Sequence, residues 1–277
     1  MAKKENSELK PFVKWVGGKR QLLSVLKEHL PKEFERYLEP FVGGGALLLN
    51  VKFKTALIND SNKELVNAYQ VIKDHLEELI VILKEHQLKH DKNHYYTVRA
   101  LRLKDLNKVE RAARFIYLNK ACFNGLYRVN KKNEFNVPMG NYENPNILDE
   151  EGLREVSRFL SEKKVKIFNL PYDQFLKRFS KTSDFIYLDP PYHPLKKTSF
   201  TKYQKDGFTE KDQIALSELF KELDQKGVKV LLSNSNTSFI KKLYKGFSIT
   251  PVHASRSINR DGKNRGKKKI EVLIKNY

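Results

Sequence analysis

Apolar residues along this chain fall into two patterns, short continuous runs and stretches where they return every third or fourth position, and the two alternate. The first pattern suits buried strands and the second suits helices packed on a core. Leu22, Leu23, Leu26 and Leu30 predict a helix over about 19–30 that stops at Pro31. A short strand follows around Arg36 to Leu38, then the turn Glu39-Pro40-Phe41-Val42-Gly43-Gly44-Gly45, then an apolar helix from Ala46. A second strand, TALIND, ends at Asp60. From about 62 to 121 the pattern is helical, carried by Leu65, Ala68, Tyr69 and Ile72, then by Leu76, Leu79, Ile80 and Leu83. So long a helical run between the second and third strands predicts an inserted domain in place of a single crossover. Its last helix, Val109 to Cys122, leads into FNGLYRVNKKNEFNVPMGNY at 123–142. There 126–130 and 134–137 flank Lys131-Lys132-Asn133 as a basic hairpin. Strands then recur at 164–168, 185–188, 228–232, about 247–252 and 270–274, with a helix from Lys211 to Gln225 closed by Gly227. The expected class is α/β, a Rossmann-like sheet at 1–61 and 148–277 with a mainly helical insert and β-hairpin at 62–147.

Chemistry gathers where strands end. The run Phe185-Ile186-Tyr187-Leu188 stops at Asp189-Pro190-Pro191-Tyr192. Two prolines cannot continue a ladder, so Asp189 and Tyr192 project from the strand's carboxyl end, the edge where open α/β sheets place ligands. The Asp189 carboxylate and Pro190 carbonyl are two acceptors beside a flat ring, a set that suits a planar amine such as the exocyclic amino group of a base. A solvated proline turn accounts for the tetrapeptide alone equally well. The glycine turn at 43–45 lets backbone approach a ligand at a helix start, although it does not match G-x-G-x-x-G and could be a plain tight turn. Asp60, at the tip of the next strand, suits ribose hydroxyls; it could equally cap the helix beginning near Asn62, or do both. Together these elements point to a nucleoside-bearing cofactor.

The chain has 277 residues, enough for a sizeable core, and 53 Lys plus Arg against 33 Asp plus Glu give a formal charge of +20. That charge favours polyanions, with nucleic acid as the leading partner class. No apolar run is long enough to span a bilayer, and the charged start MAKKENSELK is not expected to be a signal peptide. The single cysteine, Cys122, excludes an internal disulfide, and no metal-ligand spacing is present. A reducing, cytoplasmic setting is expected. Lys196, Lys197, Lys202, Tyr203 and Lys205 read as a mobile basic loop beside the site. SRSINRDGKNRGKKK at 255–269 reads as a solvated basic loop or a grip on phosphate.

KWVGGK at 14–19, EPFVGGGA at 39–46 and DPPY at 189–192, with FNGLYRVN and FNVPMGNY between them, make the chain resemble the DNA adenine-N6 methyltransferases. The group it resembles is the Dam and DpnII-type enzymes that methylate GATC, over nearly the whole chain. The resemblance implies S-adenosylmethionine as methyl donor and S-adenosylhomocysteine as product. By position it assigns the donor to Trp15, Gly17, Gly18, Lys19, Pro40, Phe41, Gly43, Asp60, Tyr172 and Asp189. It assigns catalysis to Asp189, Pro190, Pro191 and Tyr192. It places Arg128 in the major groove of duplex DNA, with Lys14, Phe123, Asn124, Leu126, Asn130, Pro138 and Tyr142 as further DNA contacts. A flipped target adenine, a monomer when acting, no membrane partner, and a bacterial nucleoid-associated location are also expected. A cognate restriction endonuclease could share the site without forming a stable complex.

At position 172 the chain departs from the family pattern, with Pro171-Tyr172-Asp173 where an acid followed by an aromatic is common. NLPY at 169–172 is itself the signature of ribosomal RNA adenine dimethyltransferases, so an RNA enzyme acting through Asn169 is one alternative. A cytosine-N4 enzyme and a non-catalytic DNA-binding protein are others. DPPY is favoured because it follows the more apolar strand, carries the acid and accompanies the other motifs.

Overall fold

A computed structural model describes residues 8–195, 208–255 and 268–277, so both basic segments singled out above lie largely outside the described residues. The chain forms two compact units, each built from separated segments. The first comprises Met1–Arg20, Gly43–Val51 and Asn62–Asn169, and the second Gln21–Val42, Lys52–Ser61 and Leu170–Tyr277.

The strands are β1 (Arg36–Glu39), β2 (Thr55–Asn59), β3 (Lys166–Phe168), β4 (Asp184–Leu188), β5 (Lys229–Ser235), β6 (Ser248–Ser255) and β7 (Lys268–Lys275). They form one sheet in the order β3-β2-β1-β4-β5-β7-β6, and all but β3 fall wholly in the second unit. β2, β1, β4 and β5 are parallel neighbours, whereas β7 runs antiparallel to both β5 and β6. The order reverses between β1 and β4, so their carboxyl ends form the topological switch point at which such sheets bind ligands. All five residues of β4 are buried, as a strand with parallel neighbours on both sides requires. β3, the strand before NLPY, is short and at most half-buried.

The first residues of β1 and β4 are locked together by charge. Asp184 is fully buried and accepts from Arg36 Nε and Nη2 at 2.8 and 2.7 Å and from the Lys181 N–H at 2.7 Å. Arg36 Nη2 also donates to the Phe179 carbonyl at 2.7 Å.

Two expected helices differ from the pattern. The one over 19–30 is a 3-10 turn, Arg20–Leu22, followed by α1 (Leu23–Glu28), with no side-chain cap at its start. The helix expected from Ala46 is a single 3-10 turn, Leu48–Asn50. Asn50 Nδ2 donates to the Ala46 carbonyl at 2.9 Å, taking the acceptor that continued α-helix would use, and its own N–H turns to the Leu47 carbonyl.

Helices α2 (Lys63–Asp74), α3 (Leu76–Leu88), α4 (Lys92–Ala100), α5 (Lys108–Ala121) and α6 (Glu150–Glu162) belong to the first unit. Asn62 caps α2 through the N–H groups of Glu64 and Leu65, so capping does not account for Asp60. Asn107 and Glu110 form a capping box at the start of α5, whose face from Ala112 to Leu118 is buried throughout. The hairpin is a turn with little ladder: one isolated bridge, Val129 to Phe135, sits above bonds between Asn130 and Glu134. The second unit adds α7 (Tyr172–Phe179), α8 (Glu210–Gln225) and α9 (Ser238–Leu243). Among the described residues no helix is long and apolar enough to cross a membrane, and no group of three or more His, Cys, Asp or Glu could hold a metal.

A histidine pair in the first unit makes stability depend on pH. His86 Nδ1 and His94 Nε2 share a hydrogen bond of 3.0 Å, and the His86 ring stacks on Tyr117 at 4.7 Å. Burial, and next the neighbouring His94, push His86 down to about 4. The unfolded imidazole, near 6.5, takes up a proton that the folded one refuses, so this contribution is complete above about 6.5 and is lost as pH falls toward about 4. Thermal denaturation should show Tm falling across that window, as this group removes at most about 1.4 kcal/mol of unfolding free energy per pH unit. His86→Phe should have a shallower slope; an unchanged slope would remove His86 as the cause.

Candidate active site

In the second unit, DPPY leaves the carboxyl end of β4 with Asp189 and Tyr192 half-buried, Pro190 buried and Pro191 exposed. The Tyr192 hydroxyl donates to Glu271 Oε2 on β7 at 2.9 Å. Burial first, then Asp189, Tyr187 and Glu271, raise the Tyr192 hydroxyl well above its ordinary range, so it stays protonated. Beneath the turn, Tyr187 shares a 2.7 Å bond with Ser233, and Tyr37 donates to the buried Glu39 at 2.8 Å. Both phenols are pushed far up, chiefly by burial.

The carboxyl ends of β1 and β2 carry a second group of expected residues. Phe41 and Tyr172 lie 5.1 Å apart, each near Phe208 at 6.0 and 5.7 Å, and all three rings are partly exposed. Burial, then Asp173, pushes the Tyr172 hydroxyl up to about 12. Asp60 stands half-buried just past β2. The residue before it, Asn59, does work that the sequence did not announce. Its Nδ2 donates to the Pro40 and Leu170 carbonyls at 3.1 and 3.0 Å, and its Oδ1 accepts from the Leu170 N–H at 2.8 Å. One buried amide therefore clamps the EPF turn to the chain entering Tyr172.

In the first unit the Gly-rich segments close around Trp15. Gly17 has φ +81°, and Lys19, although buried, donates to the Gly17 carbonyl at 2.7 Å; the Gly18 N–H donates to Trp15 at 3.1 Å. Gly43, at φ +49°, approaches Trp15 so closely that an added Cβ would lie 2.7 Å from its ring. Trp15 stacks on Tyr127 at 6.0 Å and lies 6.2 Å from Phe115.

Asn119, fully buried in α5, joins this loop to FNGLYR. It accepts from the Lys14 N–H at 2.8 Å and donates to the Lys14 and Gly125 carbonyls at 2.8 and 3.1 Å. Lys14 is exposed, and its ammonium lies 4.2 Å over the Tyr142 ring. Phe123 is exposed, its N–H donating to the Pro138 carbonyl at 2.9 Å. Asn124 adopts φ 58°, the left-handed region an Asn tolerates, and Leu126 is half-exposed. Arg128 directs Nε and Nη2 at the Asn136 side chain and carbonyl, at 2.6 and 3.1 Å, which fixes the plane of its guanidinium. The Asn130 side chain accepts from the Lys132 and Glu134 N–H groups and donates to the Glu134 carboxylate, building its own turn. Asn59, Asn119 and Glu271 were invisible in the sequence, since an isolated amide or acid in an apolar run carries no spacing signal.

A family model described as D12 class N6 adenine-specific DNA methyltransferase matches residues 15–258. The type II methyltransferase M.MjaIII of Methanocaldococcus jannaschii is 46% identical, over 98% of this chain and all of that one. M1.LlaDCHI of Lactococcus lactis subsp. cremoris is 43% identical over 100% of this chain and 99% of its own length. The DNA adenine methylase of Escherichia coli K12 is 34% identical over 96% of this chain and 94% of its own. With a mostly parallel sheet ending in DPPY at its switch point and a match of this extent, the chain belongs to the D12 class of N6 adenine-specific DNA methyltransferases.

Proposed function

We propose that the chain transfers the methyl group of S-adenosylmethionine to N6 of adenine at GATC in duplex DNA, with the target base turned out of the helix. The observation that carries this reading is the DPPY turn at the carboxyl end of β4, beside the reversal of strand order. The second unit offers what a nucleoside needs: partly exposed rings at Phe41 and Tyr172 and a carboxylate, Asp60, past the tip of β2. When bound, S-adenosylmethionine supplies a sulfonium methyl as the electrophile. Asp60 would accept from the ribose hydroxyls and the two rings would flank the adenine. Trp15, Gly17, Gly18, Lys19, Pro40 and Gly43 complete the donor-binding set on the strength of the family motifs.

A target adenine inside a duplex is out of reach, hence the flipped base. The Asp189 carboxylate and Pro190 carbonyl accept from its amino group, drawing the nitrogen toward tetrahedral geometry and freeing its lone pair. Tyr192 stacks on the base, its hydroxyl tethered by Glu271. Transfer would form the N–CH3 bond as the S–CH3 bond breaks and S-adenosylhomocysteine leaves; Asp189 would stabilise the positive charge on nitrogen, an electrostatic term of the kind that usually dominates, until one amino proton passes to solvent. Residues 62–147 act as the target-recognition insert, with Arg128 reading guanine O6 and N7 in the major groove. The chain acts as a monomer on nucleoid DNA in the cytoplasm, alongside a cognate endonuclease or alone.

The test incubates the protein with tritiated S-adenosylmethionine and, separately, unmethylated duplex DNA or ribosomal RNA, then digests the DNA with endonucleases blocked or enabled by GATC adenine methylation. Label with GATC protection supports the whole reading. Label without protection keeps the reaction and discards the target. Label only in ribosomal RNA moves the chemistry to Asn169. Arg128→Ala should lose about 1–3 kcal/mol of discrimination at one base pair while binding DNA nearly as well. An unchanged set of methylated sequences would remove Arg128 from base readout.

A further inference from the structure

The backbone of D-P-P-Y is nearly frozen by its own composition, and two buried amides hold what remains. The rings of Pro190 and Pro191 set φ at both positions. Asp189 and Pro190 each precede a proline, which confines them to extended ψ. Beyond φ of Asp189, at the end of β4, the soft torsions left in the turn are ψ of Pro191 and those of Tyr192. Gln213 Nε2, from α8, donates to the Pro191 carbonyl at 2.8 Å, which fixes the first. Asn234 Oδ1, from β5, accepts from the His193 N–H at 3.1 Å, which fixes the peptide plane leaving Tyr192. The two amides are joined, Asn234 Nδ2 to Gln213 Oε1 at 3.0 Å, and Asn234 Oδ1 also takes the Ser235 N–H at 2.8 Å.

Gln213 is 1% exposed and Asn234 0%, in a layer where an apolar side chain would avoid the cost of burying an amide. Their hydrogen bonds run to the turn, to each other and, for Asn234, to the adjacent Ser235 N–H. We infer that Gln213 and Asn234 are positioning residues for methyl transfer, holding the backbone on either side of Tyr192 so that its ring keeps the orientation the transfer step needs. This rests on the reading of DPPY as the catalytic turn. Neither residue touches the base: Gln213 acts through the Pro191 carbonyl and Asn234 through His193.

The test compares single-turnover methyl transfer in Gln213→Met, Asn234→Asp, Asp189→Ala and Ser217→Ala, each normalised to sites titrated with S-adenosylhomocysteine. Ser217 is the structural control, an equally buried polar residue of α8 whose hydroxyl donates to the local Ile214 carbonyl at 2.7 Å. Gln213→Met should lower the rate constant about tenfold or more, because small misplacements of reacting groups are costly, while affinities for S-adenosylhomocysteine and DNA stay within about twofold. Asn234→Asp keeps an acceptor for the His193 and Ser235 N–H groups but sets a carboxylate oxygen, in place of the donor, against Gln213 Oε1, so it should show a loss of the same kind. Wild-type transfer by Gln213→Met, or a loss matched by Ser217→Ala, overturns the positioning role. Near-wild-type transfer by Asp189→Ala overturns the catalytic reading beneath it, a failure that shows at Asp189 whatever Gln213 does.

Discussion

Asp189→Ala should slow methyl transfer to DNA by at least about a hundredfold, the scale on which removal of one preorganised electrostatic partner is felt. The carboxylate is the only group of the DPPY turn that carries charge, so nothing in the tetrapeptide replaces it as nitrogen becomes positive. Its affinity for DNA should change far less than its rate. Asn169→Ala, at the other candidate tetrapeptide, should keep most of the activity, because β3 is a short and poorly buried strand whereas β4 is buried along its whole length. Single-turnover assays of the two variants decide the question: if Asn169→Ala is the dead enzyme and Asp189→Ala the live one, the chemistry belongs to NLPY.

The largest loss of stability should come from Arg36→Ala. Asp184 is fully buried, and the variant removes its two guanidinium bonds while leaving the carboxylate in place. Breaking one side of a buried pair costs about 3–5 kcal/mol because a buried charge is left without compensation. Urea denaturation measures this directly. A cost under about 1 kcal/mol would mean the pair behaves as an exposed one. The double variant Arg36→Met, Asp184→Leu should recover part of the loss, since it strands no charge, although Lys181 and Phe179 still lose their bonds to the pair.

The parts of the molecule legible in its sequence are those with local causes. Phe185-Ile186-Tyr187-Leu188 ending in Asp189-Pro190-Pro191 marks a buried strand and its edge within eight residues, and the structure has it so. The helices from 62 to 121 follow from their periodicity, and their caps at Asn62 and Asn107 are the residue types that caps need. What escaped depends on partners far along the chain. Asn119 serves Lys14, 105 residues away, and Asn59 serves Leu170, 111 residues away. A buried amide of this kind leaves no period and no motif, only a polar letter in an apolar stretch. The short turn after Ala46 escaped for a nearer reason: hydrophobic spacing favoured a helix, and a single Asn50 side chain captured the carbonyl needed to extend it.

The Arg36–Asp184 pair joins residues 148 positions apart. On a ribosome adding about 5–20 residues per second, β1 is synthesised roughly 7–30 seconds before the strand that completes it. Through that interval β1 has β2 available on one side and a bare strand edge on the other, the kind of edge that recruits foreign strands. The unpaired Arg36 at its start keeps a positive charge on that edge, which discourages pairing with other nascent chains until Asp184 arrives to neutralise it. The arginine that anchors the finished sheet thus stands first as a lone charge on the edge of its half-made form.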